Sequence, residues 1–297
     1  MHLVATLCAL LATAAPIPAQ DNSSAPTPVK LEFKVPMRDG VRLATDVWLP
    51  QTNGAFPVVM VRFPYNKDLG AGLGRDGCAR GYAVVSQDTR GRFASEGENL
   101  PFRLDATDGK DTLSWLLKQP WCAGQVATWG ASAGAITQFQ LAIDGTDPLA
   151  AQYLIVGAPN LYDVVYTGGV FRKALIEDWI RTTGYATNAL AIWVGHPLYD
   201  DYWRAQDASR HYPAVNTPAV HIGGYWDIFA QASLDAFVGY QEQGGPGARG
   251  RQKLIFGPWA HAVFQEKVGD LTFPGGKNPP GNRSEEHTSE LQSRQVI

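Results

Sequence analysis

Val126-Ala127-Thr128-Trp129-Gly130-Ala131-Ser132-Ala133-Gly134 is the stretch on which the reading of this chain turns. Val126 to Trp129 is a short apolar run of strand type, the residues beyond Gly134 are apolar and helix-like, and a serine stands between two glycines at the junction. A sharp strand-to-helix turn of that composition exposes a serine hydroxyl at the top of a sheet, the arrangement of a nucleophile elbow. A serine hydroxyl is a weak nucleophile at neutral pH. It needs a base within hydrogen-bond reach and a third group that orients the base.

Both partners lie downstream. Gly223-Gly224-Tyr225-Trp226-Asp227 follows the strand-like run Ala219 to Ile222, and Gly257-Pro258-Trp259-Ala260-His261 follows Leu254 to Phe256. The chain order Ser132, Asp227, His261 is that of α/β-hydrolases. Taken singly, each residue has a plain structural reading: a glycine-rich helix start in a chain of 31 glycines, an aspartate helix cap, a loop histidine. Their joint placement beyond the C-terminal ends of predicted strands, where open α/β sheets bind ligands, favours chemistry.

Outward from the elbow, Phe56 to Phe63 and Tyr82 to Ser86 are near-continuous apolar runs, the pattern of strands buried on both faces. Leu31 to Pro36 and Leu43 to Leu49 flank Arg38-Asp39-Gly40, a hairpin signal. Gln125 to Trp129, Gln152 to Gly157, Ala219 to Ile222 and Leu254 to Phe256 continue the series. Asp105 to Lys118 carries leucines near helical spacing, with acids early and a lysine late. Helices alternating with strands predict an α/β class, a doubly wound, mostly parallel sheet. Core segments are expected at residues 31–159 and 214–281. Between them, residues 160–213 break the strand rhythm with an aromatic-rich, helical insertion that would cap the site; ordinary surface helices are the plainer alternative.

The 297 residues carry a net charge of −3 with no Lys/Arg cluster, which excludes the basic stripe of a nucleic-acid binder. Residues 1–19 read as a secretory signal peptide with an apolar run from Leu3 to Ala15, too short for the roughly 20 residues of a spanning helix. Residues 20–30 read as a polar linker. The expected location is therefore secreted or periplasmic, with no membrane attachment after cleavage. Cys78 and Cys122 are expected as free, buried thiols, and no metal or cofactor is expected. His196, His211 and His221 are expected to be structural or exposed, since none follows a late strand as His261 does.

Six ordered stretches carry a family resemblance: VPMRDGVRLATDVWLP from Val35, VRFPYNK from Val61, RGYAVVSQDTRGR from Arg80, QPWCAGQVATWGASAG from Gln119, GGYWDIF from Gly223 and GPWAH from Gly257. Together they resemble the X-Pro dipeptidyl-peptidase superfamily of α/β-hydrolases, and most closely its cocaine-esterase-like (CocE/NonD) branch. The resemblance implies Ser132 as nucleophile, His261 as base and Asp227 as orienting acid, with an oxyanion hole from the Tyr65 hydroxyl and the Ala133 N–H. Tyr65 follows a predicted buried strand and would supply an O–H opposite that backbone donor. Asp88, Arg90 and Gly91 match as well and read as loop scaffolding.

Departures from the family pattern sharpen the expectation. Ala133 stands where many relatives carry tyrosine, and Tyr225-Trp226 reverses the common order. Phe229 and Ala230 occupy the positions where amino-acid ester hydrolases carry carboxylates for a substrate ammonium. Family members continue into a C-terminal jelly-roll domain, whereas residues 282–297 read as a non-native, adapter-derived tail. Glu285, Glu286, His287 and Glu290 are accordingly not read as a metal cluster. The expected function is hydrolysis of small-molecule ester or amide substrates through an acyl-enzyme. X-Pro dipeptide release is the second reading, and a catalytically silent binding scaffold the third.

Overall fold

The structure, a computed structural model, describes residues 27–277. The expected signal peptide, the first residues of the linker and the adapter-like tail lie outside the described residues.

Eight strands form one sheet: β1 (Val29–Pro36), β2 (Arg42–Leu49), β3 (Phe56–Phe63), β4 (Ala83–Asp88), β5 (Cys122–Ala131), β6 (Leu149–Ile155), β7 (Ala219–Gly224) and β8 (Gln252–Gly257). Their order is β1-β2-β4-β3-β5-β6-β7-β8. β2 runs antiparallel to both neighbours, and every pairing from β4 to β8 is parallel. This is the α/β-hydrolase fold. β1 begins at Val29, inside the expected linker, because Val29 pairs in register with Leu49 and extends the hairpin. At the hairpin turn Gly40 has φ 87°, a conformation glycine adopts without strain.

Between the strands run α1 (Ala71–Ala79), α2 (Asp105–Leu116) and α3 (Ala133–Ala142). Leu113 and Leu116 of α2 and Leu141 of α3 join Val58, Met60, Val85 and Val126 in one buried cluster. A polar network crosses the same layer. Arg62 on β3 donates to Gln87 Oε1 at 2.8 Å, to the Asp105 carbonyl at 3.1 Å and to Asp105 Oδ1 at 2.9 Å, all buried. A buried charge is tolerated only when paired in this way, and the fork of Arg62 ties β3 to the start of α2.

After β6 the insertion contains α4 (Leu161–Val165), a hairpin of two-residue strands (Tyr166–Thr167 and Val170–Phe171), α5 (Lys173–Thr183), α6 (Asn188–Val194) and α7 (Asp201–Arg204). Phe171, expected in a helix, lies in that hairpin, and α5 starts only at Lys173 and ends at Gly184, whose φ is 73°. The insertion buries Tyr166, Tyr185, Trp193 and Trp203 with Ala133 and Ile136 of α3 in a single cluster, so it packs directly on the helix that follows the elbow. α8 (Ala230–Gln243) connects β7 to β8 and closes the core through Ala236 and Tyr240.

Candidate active site

The elbow is built by close backbone approach. Ser132 has φ 56° and ψ −120°, a region where a residue bearing a Cβ is strained. Its N–H donates to the Ile155 carbonyl at 2.9 Å, and its own carbonyl accepts from Ala135 at 2.9 Å and Ile136 at 3.0 Å. The two flanking glycines are not equivalent. A Cβ on Gly130 would stand 2.6 Å from the Gly134 carbonyl oxygen, whereas one on Gly134 would meet nothing nearer than 3.7 Å. The turn therefore requires the first glycine and merely accommodates the second.

Asp227 and His261 come from two loops packed backbone to backbone. A Cβ on Gly224 would lie 2.3 Å from the Trp259 carbonyl oxygen, and Tyr225 and Trp226 donate to the carbonyls of Gly257 and Trp259, each at 2.9 Å. This brings His261 Nδ1 to 2.6 Å from Asp227 Oδ1 and His261 Nε2 to 2.9 Å from Ser132 Oγ. A carboxylate can only accept, so Nδ1 carries the proton and Nε2 faces the serine hydroxyl as an acceptor. The second carboxylate oxygen accepts from the Phe229 N–H at 3.1 Å, and the Phe229 ring meets the imidazole edge-on at 5.4 Å. Ser132 is 6% exposed and the Asp227 side chain fully buried, so the chain of contacts is largely removed from solvent.

Tyr65 lies two residues beyond β3, in a turn shaped by Asn66 at φ 93° and by the Lys67 N–H, which donates to Asp88 at 2.6 Å. Its hydroxyl accepts from the indole N–H of Trp179 at 3.1 Å. Ala133 is the first residue of α3, so its N–H has no partner one turn earlier in the helix. Asp88, Arg90 and Gly91 serve the scaffold. Asp88 also accepts from Ala94, Arg90 pairs with Asp39 and Asp108, and a Cβ on Gly91 would collide with the Asn99 backbone.

Beside Ser132 opens a cavity of about 490 Å³, counting the open solvent at its mouth. Its lining joins Ser132, Ala133 and His261 to the insertion residues Leu175, Ile176 and Trp179, and no carboxylate is among the lining side chains. Two contributors escaped the sequence reading. Trp179 was one aromatic among many there, and Arg92, inside the RGR match, carried no role; only the folded insertion shows what either touches.

The other histidines among the described residues lie away from this cluster. His196 pairs with Asp200 at 2.6 Å, and His221 is buried under α8, where desolvation pulls its pKa down to about 4. Cys78 is buried, its thiol pushed up to about 11 by desolvation; Cys122, at the start of β5, is half-buried rather than buried, and both are unbridged. Among the described residues no cluster of metal-ligating side chains occurs, and no helix is long and apolar enough to cross a membrane.

Sheet order and elbow define the class, an α/β-hydrolase. Residues 39–192 and 181–263 match the model of the X-Pro dipeptidyl-peptidase (S15) family, and the chain belongs to that family. It is 32% identical to the cocaine esterase of Rhodococcus sp. (strain MB1 Bresler) over 80% of this chain and 50% of that protein. Among solved structures, a CocE/NonD family hydrolase from Staphylococcus aureus superposes with a TM-score of 0.66 at 23% identity, over 79% of this chain and 47% of that one. An α-amino acid ester hydrolase gives 0.61 at 23%, over 89% and 53%. The chain thus spans about half the length of these relatives.

Proposed function

We propose that the chain is a serine hydrolase of ester or amide bonds, in which Ser132 Oγ attacks the substrate carbonyl while His261 Nε2 takes its proton. Asp227 holds the imidazole in the required tautomer and stabilises the imidazolium. The Ala133 N–H and Tyr65 O–H receive the oxyanion. The leaving group departs with the proton from His261, and water activated by the same nitrogen releases the acyl group from Ser132. The observation that carries this reading is the continuous hydrogen-bonded series Asp227, His261, Ser132 on a strained elbow.

An esterase or acylase for neutral, apolar acyl groups fits the cavity best. Its lining offers no carboxylate to a substrate ammonium, and an unpaired buried charge is expensive. Phe229, where a carboxylate would serve that purpose, presents a ring instead. The family match favours X-Pro dipeptide release as the second reading.

Fluorophosphonate labelling with peptide mapping tests the assignment: one adduct on the Ser132 peptide is expected, and equal labelling of Ser132→Ala would overturn it. Neutral p-nitrophenyl esters are expected to turn over faster than Gly-Pro p-nitroanilide. The reverse order would select the peptidase.

A further inference from the structure

Trp179, in the insertion, both lines the cavity and donates a hydrogen bond to Tyr65. An indole N–H can only donate, so in this contact the phenol oxygen is the acceptor and the phenol proton is turned away from Trp179. The indole itself has little freedom. It is stacked between Phe102, at 5.7 Å and 4°, and Trp193, at 6.2 Å and 6°, with Tyr185 packed at 5.1 Å.

The helix that carries Trp179 is held at its C-terminus by Arg92. This guanidinium, 5% exposed, donates to the Thr183 and Gly184 carbonyls at the end of α5, to Asn99 Oδ1 at 3.1 Å, and through Nε to the Pro64 carbonyl at 3.1 Å. Pro64 immediately precedes Tyr65. The Arg92 guanidinium lies over the Tyr185 ring at 4.6 Å. The last carbonyls of a helix lack intrahelical partners and carry partial negative charge, which suits a cation there. Because the guanidinium fork is rigid, its bonds to Pro64 and to α5 fix one element relative to the other.

We infer that Trp179 is a positioning residue for the oxyanion donor: its indole N–H fixes the Tyr65 hydroxyl so that the phenol proton is aimed at the substrate oxyanion, and Arg92 clamps α5 in the register this requires. The inference rests on the reading of Tyr65 as an oxyanion donor. Acceptance of one hydrogen bond polarises a hydroxyl and strengthens the bond it donates, so the contact acts on the transition state rather than on substrate binding.

The test is a double-mutant cycle on kcat and KM, measured with p-nitrophenyl esters of short and long acyl chains. Tyr65→Phe alone is expected to lower kcat about a hundredfold. Trp179→Phe, which keeps a ring in the stack but removes the donor, is expected to lower kcat about five- to tenfold for both esters with KM little changed. In the Tyr65→Phe background the same change is expected to have less than about a twofold effect, since nothing remains to position. Arg92→Lys keeps the charge without the fork. It is expected to reproduce the kcat loss of about threefold or more only when Tyr65 is present, and serves if Trp179→Phe folds poorly. A Trp179→Phe loss that persists undiminished without the Tyr65 hydroxyl, or that appears in KM and grows with acyl length, would reduce Trp179 to a cavity wall and overturn the inference. An unchanged kcat in Tyr65→Phe would instead remove the oxyanion reading itself.

Discussion

The cavity has two unlike sides. Its floor is made of strand ends, where Ser132, His261 and Asp227 are held by backbone turns that leave no room for a Cβ at Gly130 or Gly224 and by directional hydrogen bonds. Its roof is made of the insertion, whose Trp179 and Trp193 stack with Phe102 from the loop before α2 and share the lining with Leu175 and Ile176, and position is set by packing. Backbone geometry tolerates almost no change, whereas apolar packing tolerates exchange of similar volume. In the proposed hydrolase the floor would therefore specify the reaction and the roof would choose the acyl group. The Trp179 and Arg92 contacts are where the two sides are fastened.

Disrupting the floor should have the largest effect. Asp227→Asn would replace an acceptor-only carboxylate with an amide whose NH2 can donate to His261 Nδ1 and favour the wrong tautomer, and kcat is expected to fall about 10⁴-fold in a steady-state assay while fluorophosphonate labelling slows in parallel. A change in the roof should act differently. Ile176→Ala empties a buried site beside the cavity; a stability loss of about 2–4 kcal/mol in urea melts is expected, together with a shift of preference toward bulkier acyl chains and a retained kcat for the best substrate. If Ile176→Ala abolished turnover of every ester, the division between the two sides would not hold.

Below the floor, His221 on β7 supplies a pH test. Its folded-state pKa near 4, depressed by burial, lies under the value of about 6.5 expected in the unfolded chain. Between those values the unfolded state binds more protons. The contribution of His221 is accordingly full above pH 6.5 and is lost as pH falls toward 4, by about 3 kcal/mol, against an opposite contribution from the buried Asp105, whose carboxyl is pushed up to about 6. Urea melts from pH 7 to 4 should show that slope as the difference between the parent and His221→Phe. The smallest effect is expected at Gly134, where an alanine meets only ordinary contacts: Gly134→Ala should leave labelling intact and change stability by less than about 1 kcal/mol. Loss of labelling would mean that the elbow needs both glycines.

The same contrast explains what the sequence disclosed. The strands announce themselves because parallel strands buried on both faces carry near-continuous apolar runs, as Phe56 to Val61 and Ala83 to Val85 do. Ser132, Asp227 and His261 could be assigned to strand ends because each follows such a run within a few residues. Strand ends shifted by one to three residues, as at Val29 and Asp88, where pairing extends beyond the apolar stretch. The roof was readable only as an aromatic-rich insertion. Which ring faces Tyr65 depends on how α5 and α6 cross the sheet, and no spacing in the chain encodes that Trp179, rather than Trp193 or Trp203, reaches the phenol. Arg92 was hidden for the same reason, since its acceptors at residues 64, 183 and 184 are distant in sequence.

The positive φ of Ser132 sets durability against reactivity at one position. A side chain held in that region costs on the order of 1–3 kcal/mol, a strain that glycine would not bear. A chain carrying Ser132→Gly should thus melt at a higher temperature than the parent while hydrolysing nothing. The strain at this one position is the stability cost of presenting a hydroxyl at the elbow rather than a hydrogen.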